Sequence, residues 1–424
     1  MFPVIGEGMV GKTMAITGSL LIDGTGQEPF KDGVVLVKDG IIVAVGQRDG
    51  VPVPDDAEVV DGNGLTIMPG MVDAHIHLVG MRRGDKIETY NRSLSAARAV
   101  ADAYTILEHG YTSARCCGSW ISSGIKLAIE EGTVKGPRLV VAGAAISQTF
   151  GHGDLHSFPL GWVKGWGGWF ATLADGVDEC RRAAREQLRE NADFLKICTS
   201  GGVGSQLDDC EFPQYTLDEV KAIVYEAHSI GKKVASHAHG LPGIKIALAG
   251  DVDTFEHSAW LDQKTAVEMA RRDKIVVPTC YNPIRTYEKT KGFTEQGAMP
   301  EWSFRKARQV YLLDKKRVRM ARELGVKQAI ATDWAGDAPY DVSMEMWAFI
   351  ELGGYSPLEA ITCCTKIGAQ CLGLQDKIGT LEKGKLADIL LVNGDPLQDI
   401  KLLVSKENIR LVMKSGRVEV NRDP

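Results

Sequence analysis

At 424 residues the chain is long enough for one large α/β barrel or for two or three smaller domains. Its net charge of -6, with no basic stripe carrying interleaved aromatics, argues against a nucleic-acid partner, and no apolar run approaches the ~20 residues that cross a bilayer. Nine scattered cysteines without C-x-x-C spacing, and an N-terminus lacking a basic and then apolar leader, suggest a reduced cytoplasmic protein rather than a disulfide scaffold.

From Met14 to about Val60 the pattern is short strands and turns. Ala15–Ile22 precedes Asp23-Gly24-Thr25-Gly26, and Lys38-Asp39-Gly40 between Val34–Val37 and Ile41–Val45 is a hairpin cue. The same grammar returns in Ile378–Leu381, Lys385–Val392 and Val412–Val418. Residues 1–69 and 377–424 are therefore expected to form one small β-sandwich domain from both chain ends; two unrelated hairpin caps are the alternative. Between them, residues 70–376 alternate candidate strands with amphipathic stretches. The strands are Val72–His77, Thr112–Cys116, Arg138–Ala142, Phe194–Cys198, Lys233–His237, Thr254–His257, Ile275–Thr279 and Gln328–Asp333. Helices are expected over Ser93–His109, Val177–Glu190, Leu217–Ile230 and Lys306–Leu324; in the third, Thr216 can cap while Val220, Ile223, Val224 and Ala227 share a face. Eight alternations predict an α/β fold of the (β/α)8 TIM-barrel type. A doubly wound open sheet is the rival, and no G-x-G-x-x-G follows any strand. Phe150 to Trp169, with Trp162, Trp166 and Trp169 among glycines, reads as a lid or pocket wall.

The chemistry starts at Met68-Pro-Gly-Met-Val-Asp-Ala-His-Ile-His77. Residues two apart on a strand face the same side, so His75 and His77 present paired imidazoles suited to one divalent metal. In a barrel, catalytic side chains sit at the C-terminal ends of strands. Those ends carry His75, His77, Lys196, His237, His257 and Asp333. Lys196 lies in an apolar strand, where an unpaired ammonium is costly. Reaction with carbon dioxide would make it an anionic carbamate able to bridge two metals; a lysine snorkelling at the strand end is the plainer reading.

Pro69–His77, Lys196, His237, Glu256-His257 and Thr332-Asp333, in that order, resemble the amidohydrolase superfamily over nearly the whole chain, including Gly379-Thr-Leu-Glu-Lys-Gly384-Lys-Leu-Ala-Asp388. Ile146–Asp154 and Lys196–Val203 narrow the resemblance to its binuclear-metal branch of prolidase-like, Xaa-Arg carboxypeptidase-like and ochratoxin amidase-like hydrolases. The resemblance implies that His75, His77 and Asp333 bind one metal, that His237 and His257 bind a second, and that carboxylated Lys196 bridges them. Zinc suits these ligands, with manganese or cobalt as alternatives. It further implies a hydroxide shared by the two metals, with Asp333 as general base and acid.

The expected reaction is amide hydrolysis of a dipeptide or N-acyl amino acid that releases its C-terminal amino acid. A cyclic-amide hydrolase or imidazolonepropionase-like deaminase is the alternative; Lys196, and the lack of His-x-x-Glu after His237, weigh against it. A non-enzymatic barrel would leave ligand positions unfilled, and here all are filled. His152 and His239 are candidate catalytic and substrate-binding residues: His152 for a carbonyl or carboxylate, His239 where prolidase-like relatives often carry tyrosine. Arg285 is a candidate for pairing with a terminal carboxylate. Arg115-Cys116-Cys117 departs from the Arg-Asp usual in relatives. His109, His156 and His228 read as structural, and a homo-oligomer is expected.

Overall fold

The structure is a computed structural model that describes residues 13–82, 91–166, 170–284, 300–336, 340 and 343–422. Arg285, Trp169 and the side chain of Trp166 lie outside them. Strands from both chain ends share one eight-stranded sheet. Its order runs Arg417–Asn421, Ile409–Lys414, Ile389–Asn393, Leu65–Pro69, Thr13–Leu21, Phe30–Lys38, Ile41–Gln47, with Glu58–Val60 added to Thr13–Leu21. The Asp39-Gly40 turn has φ of 51° and 78°, the pair of left-handed residues that a two-residue hairpin requires. Ile42 N–H donates to Lys385 O (2.8 Å) and Ala387 N–H to Gly40 O (2.9 Å). The segment leading into Ile389–Asn393 thus returns to the free edge of Ile41–Gln47, which curls the sheet on itself.

Every strand between residues 71 and 328 runs parallel to its neighbours. Met71–Ile76, Tyr111–Cys116 and Arg138–Val141 form one sheet. Ala171–Leu173, Ala145–Ser147, Leu195–Cys198, Val234–Ala238, Thr254–His257, Ile275–Val277 and Lys327–Gln328 form the other, in that order. Hydrogen bonds outside the ladders tie the two together. On one side these are Ala74 N–H to Ile330 O (3.0 Å), Asp333 N–H to His75 O (2.8 Å) and His77 N–H to Trp334 O (2.8 Å). On the other, Asp193 N–H donates to Val141 O at 2.7 Å. Buried Val, Ile and Ala side chains of these strands pack under helices such as Gly176–Arg189 and Leu217–His228, the latter opened by the expected Thr216 capping box with Glu219.

The strand expected over Gln328–Asp333 keeps a ladder only at Lys327–Gln328. Beyond it Asp73 captures the chain, accepting from Thr332 N–H (3.1 Å) and Thr332 Oγ1 (2.6 Å). The stretch expected as a lid holds a short helix, Leu160–Trp166, and returns to the sheet through Ala171–Leu173 beside Ala145–Ser147. Trp162 is exposed.

At the opposite end, Asp388 joins the parallel strands to the curled sheet. It accepts from Arg138 Nη1 (2.6 Å), Thr112 Oγ1 (3.1 Å) and Ser415 N–H (2.8 Å), and its side chain is 3% exposed. The strands' C-terminal ends are left to build the site.

Candidate metal centre

Three strand-end residues, His257 (φ 65°), Thr279 (φ 51°) and Asp333 (φ 55°), adopt left-handed backbone conformations. Such conformations cost about 1–3 kcal/mol each and concentrate at functional sites, where they re-aim side chains. Here they turn His257 and Asp333 into a cleft shared with His75, His77, Lys196, His237, His239 and His152. All six residues expected to ligate metal are thereby brought together.

The first cluster is His75, His77 and Asp333. His75 Nδ1–H donates to Glu256 Oε2 at 2.7 Å, and His77 Nδ1–H donates to Gly118 O at 2.9 Å. Both protons are thus held on Nδ1, and both Nε2 lone pairs face inward. The two Nε2 atoms stand 3.3 Å apart, each within 3.4 Å of Asp333 Oδ1. Two lone pairs and a carboxylate oxygen with no proton among them repel one another; a cation between them removes the conflict.

The second cluster follows the same logic. Thr279 spends its hydroxyl proton on Pro278 O (2.8 Å), so it accepts from His257 Nδ1–H at 2.7 Å. His237 Nε2–H donates to Gly201 O at 3.1 Å, leaving Nδ1 bare. His239 stacks on His257 with ring centroids 4.6 Å apart, and its buried Nδ1 has no hydrogen-bond partner among the described residues. The ligand atoms of His237, His239 and His257 lie within 4.8 Å of one another. Lys196, 3% exposed, lines the cleft with both clusters, and no hydrogen bond or ion pair ties its Nζ to another described residue.

Burial sets the charge states. It lowers His75 to about 4, with Lys196 adding to the effect, and lowers His239 to about 3. His237 and His257 fall well below the ordinary histidine value, through burial and then neighbouring imidazoles. Neutral rings with bare nitrogens are the form that binds metal. For Asp333 burial acts upward, but His75, His77 and Lys196 together outweigh it and hold the carboxyl well below its usual range. The donor set therefore fits two divalent cations.

Glu256, quoted in the motif but not expected to act, proves central to the first cluster. Fully buried, it accepts from Arg115 Nη2 (2.7 Å) and Thr254 Oγ1 (3.0 Å) as well as His75. Arg115 also reaches Ala74 O and Thr254 Oγ1. The orienting carboxylate thus comes from Glu256, on a strand of the other sheet from Tyr111–Cys116. Cys117 sits near His75 and Glu256, but burial pushes its thiol up, so it offers no thiolate. Asp73, Thr279 and the Ser205–Asp208–Lys306 group behind His152 also lay beyond sequence reasoning. Among the described residues the apolar wall of the cleft includes Phe170, Val203, Pro283, Ala307 and Val310. His109, His156 and His228 lie outside the cleft; His228, for one, pairs with Asp253 at 2.9 Å.

Comparison with known proteins gives one consistent answer. Residues 66–418 match the model of the Amidohydrolase family. Ochratoxinase of Aspergillus niger is 32% identical over 426 residues, covering 96% of this chain and 86% of that protein. Its crystal structure superposes with a TM-score of 0.86 at 30% identity, covering 97% of this chain and 96% of the other. A Xaa-Pro dipeptidase with methionine bound in its active site gives 0.86 at 29% identity, covering 96% and 99%. A prolidase complexed with N-methylphosphonate-L-proline gives 0.87 at 30% identity, covering 97% and 100%.

Proposed function

The chain belongs to the amidohydrolase family and is a hydrolase acting on amide bonds; from that premise we propose a binuclear metal enzyme that releases the C-terminal amino acid from N-acyl amino acids or dipeptides. The observation carrying this reading is the meeting of two groups of proton-free ligand atoms around one buried lysine that no described residue pairs. His75, His77 and Asp333 would hold one ion, His237 and His257 the other, with Lys196, as its carbamate, between them. Zinc suits these donors. When bound, the ions would acidify a water molecule and polarise the scissile carbonyl.

The chain's own groups do the rest. Asp333 accepts a proton from the attacking water and returns it to the leaving amine. Glu256 and Gly118 hold the rings of His75 and His77 so that Nε2 faces the cleft. His152 and His239 face the substrate; the bare, buried Nδ1 of His239 offers an acceptor where a tyrosine would offer a hydroxyl. Phe170, Val203 and Val310 favour an apolar acyl or side-chain group. The reading extends to a closed (β/α)8 barrel of residues 70–376 beside a β-sandwich of both chain ends, in a cytoplasmic homo-oligomer. Among the described residues, no helix is long and apolar enough to cross a membrane.

The test is a screen of N-acyl amino acids and dipeptides on zinc-loaded enzyme, reading free amino acid. Release from these substrates is expected. Turnover confined to cyclic amides, or ammonia release from a heterocycle, would overturn the substrate class.

A further inference from the structure

Behind His152 lies a group of buried charged and polar side chains that the proposed reaction does not use. His152 stacks on the ring of His237, centroids 3.9 Å apart and 15° from parallel, and its Nδ1 stands 3.0 Å from Ser205 Oγ. The Ser205 hydroxyl has two acceptors of its own, Asp208 Oδ1 at 2.5 Å and Gly202 O at 3.2 Å. Its single proton goes to one of these, so towards His152 it can only accept. The ring is therefore protonated on Nδ1.

Asp208 is itself tied down. Its Oδ2 accepts from Gln214 Nε2 at 3.0 Å, while Gln214 Oε1 accepts the backbone N–H of His152 at 3.0 Å. Lys306 spends its three ammonium protons on Asp208 Oδ1 (3.1 Å), Gly202 O (3.1 Å) and Ser205 O (2.7 Å). The side chains of Asp208 and Lys306 are each 1% exposed. A buried ion pair is weak as a stabiliser, since an apolar pair of similar volume often does as well, so it calls for another role. Gly202 completes the seat: a Cβ there would lie 2.2 Å from His152 Nδ1.

We propose that Asp208, acting through Ser205 and held by Lys306 and Gln214, is a positioning residue that locks His152 as its Nδ1–H tautomer, so that Nε2 is the atom presented to the substrate. The same logic fixes a base histidine through a buried carboxylate in hydrolytic triads, here with a hydroxyl interposed. The role given to Nε2 rests on the amide-hydrolase reading above; the tether itself does not.

The test uses full-length, zinc-loaded protein labelled with 15N-histidine, and two-bond 1H–15N correlations assigned by the loss of signals in His152→Gln. Wild type is expected to show a protonated Nδ1 and a bare Nε2 at His152. Ser205→Ala and Asp208→Asn should lose that pattern while the zinc-bound histidines keep theirs, and Ser205→Thr should restore it. On any substrate found by the screen, kcat should fall about 10- to 100-fold in Ser205→Ala, taking the range measured for partners that orient metal-binding histidines, with zinc content unchanged. Ser205→Ala removes only a hydroxyl, and its melting temperature checks the fold should Asp208→Asn fail to accumulate. A wild-type Nε2–H tautomer, or an unchanged His152 pattern in Ser205→Ala whatever happens to kcat, overturns the tether. Neither result touches the amide-hydrolase reading, which the substrate screen decides.

Discussion

Glu256→Gln changes one atom in a residue that no metal is expected to touch, and should still weaken the first metal position. The site asks Glu256 for two acceptors: Oε1 towards Arg115 and Thr254, and Oε2 towards His75 Nδ1–H. Glutamine has one oxygen and one NH2, so one of these contacts must become donor against donor. Turning the NH2 to Arg115 leaves a buried guanidinium unpaired, at about 3–5 kcal/mol. Turning it to His75 forces that ring to carry its proton on Nε2. In the metal-free protein this costs little, because Asp333 Oδ1 waits 3.4 Å away to accept it. Its cost appears on metal binding, where loss of an outer partner lowers affinity about 10- to 100-fold, or about 1.4–2.7 kcal/mol. The second arrangement is the less costly, so the variant should fold and bind zinc 10- to 100-fold more weakly, by about those factors. Competition against a chelator of known affinity measures this, alongside urea unfolding of the metal-free protein. Wild-type zinc affinity in Glu256→Gln would refute the reasoning.

Lys196→Ala should lose most turnover and part of the bound metal; full turnover at ambient bicarbonate, with two ions per chain by elemental analysis, would contradict the bridging role. Metal-free protein should lose stability as pH falls from about 6.5 to 4, because the five buried rings of His75, His152, His237, His239 and His257 are lowered while the unfolded chain takes up protons. Each contributes up to about 1.4 kcal/mol per pH unit. Asp333 and Glu256, both depressed, add to the loss at lower pH, whereas Asp73, raised to about 6, and Glu345, raised to about 8, act with the opposite sign. Urea midpoints from pH 7 to 5 in chelator should fall; flat midpoints would sink this account. Asp388→Ala should cost about 3 kcal/mol, the lower end for breaking a buried pair because Arg138 is 22% exposed, read as a lower urea midpoint.

The residues proposed as metal ligands were legible because each sits where a local rule applies. A period of two puts His75 beside His77, and strand ends expose Lys196, His237, His257 and Asp333. What the sequence did not reveal depends on neighbours distant along the chain. Arg115 meets Glu256 141 residues away, and Lys306 meets Asp208 98 residues away. Lys306 sits in a helix, Glu301–Glu323, rich in charged residues, so nothing along the chain marks it, or Asp314 and Arg317, as buried. Of the tryptophan-rich stretch, Trp162 is exposed while His152 and the adjoining Phe170 line the cleft, since bulk alone does not say which way a side chain faces.

The curled sheet also governs how the molecule is made. Pro69 pairs with Ile389, so the strand that feeds His75 into place gains that neighbour only after roughly 320 more residues have left the ribosome. At about 5–20 residues per second this takes roughly 16–64 s, during which the edge of Leu65–Pro69 lies open in the nascent chain. Such a newborn polypeptide is a natural client for chaperones, and stalled synthesis before Ile389 should leave fragments prone to aggregate.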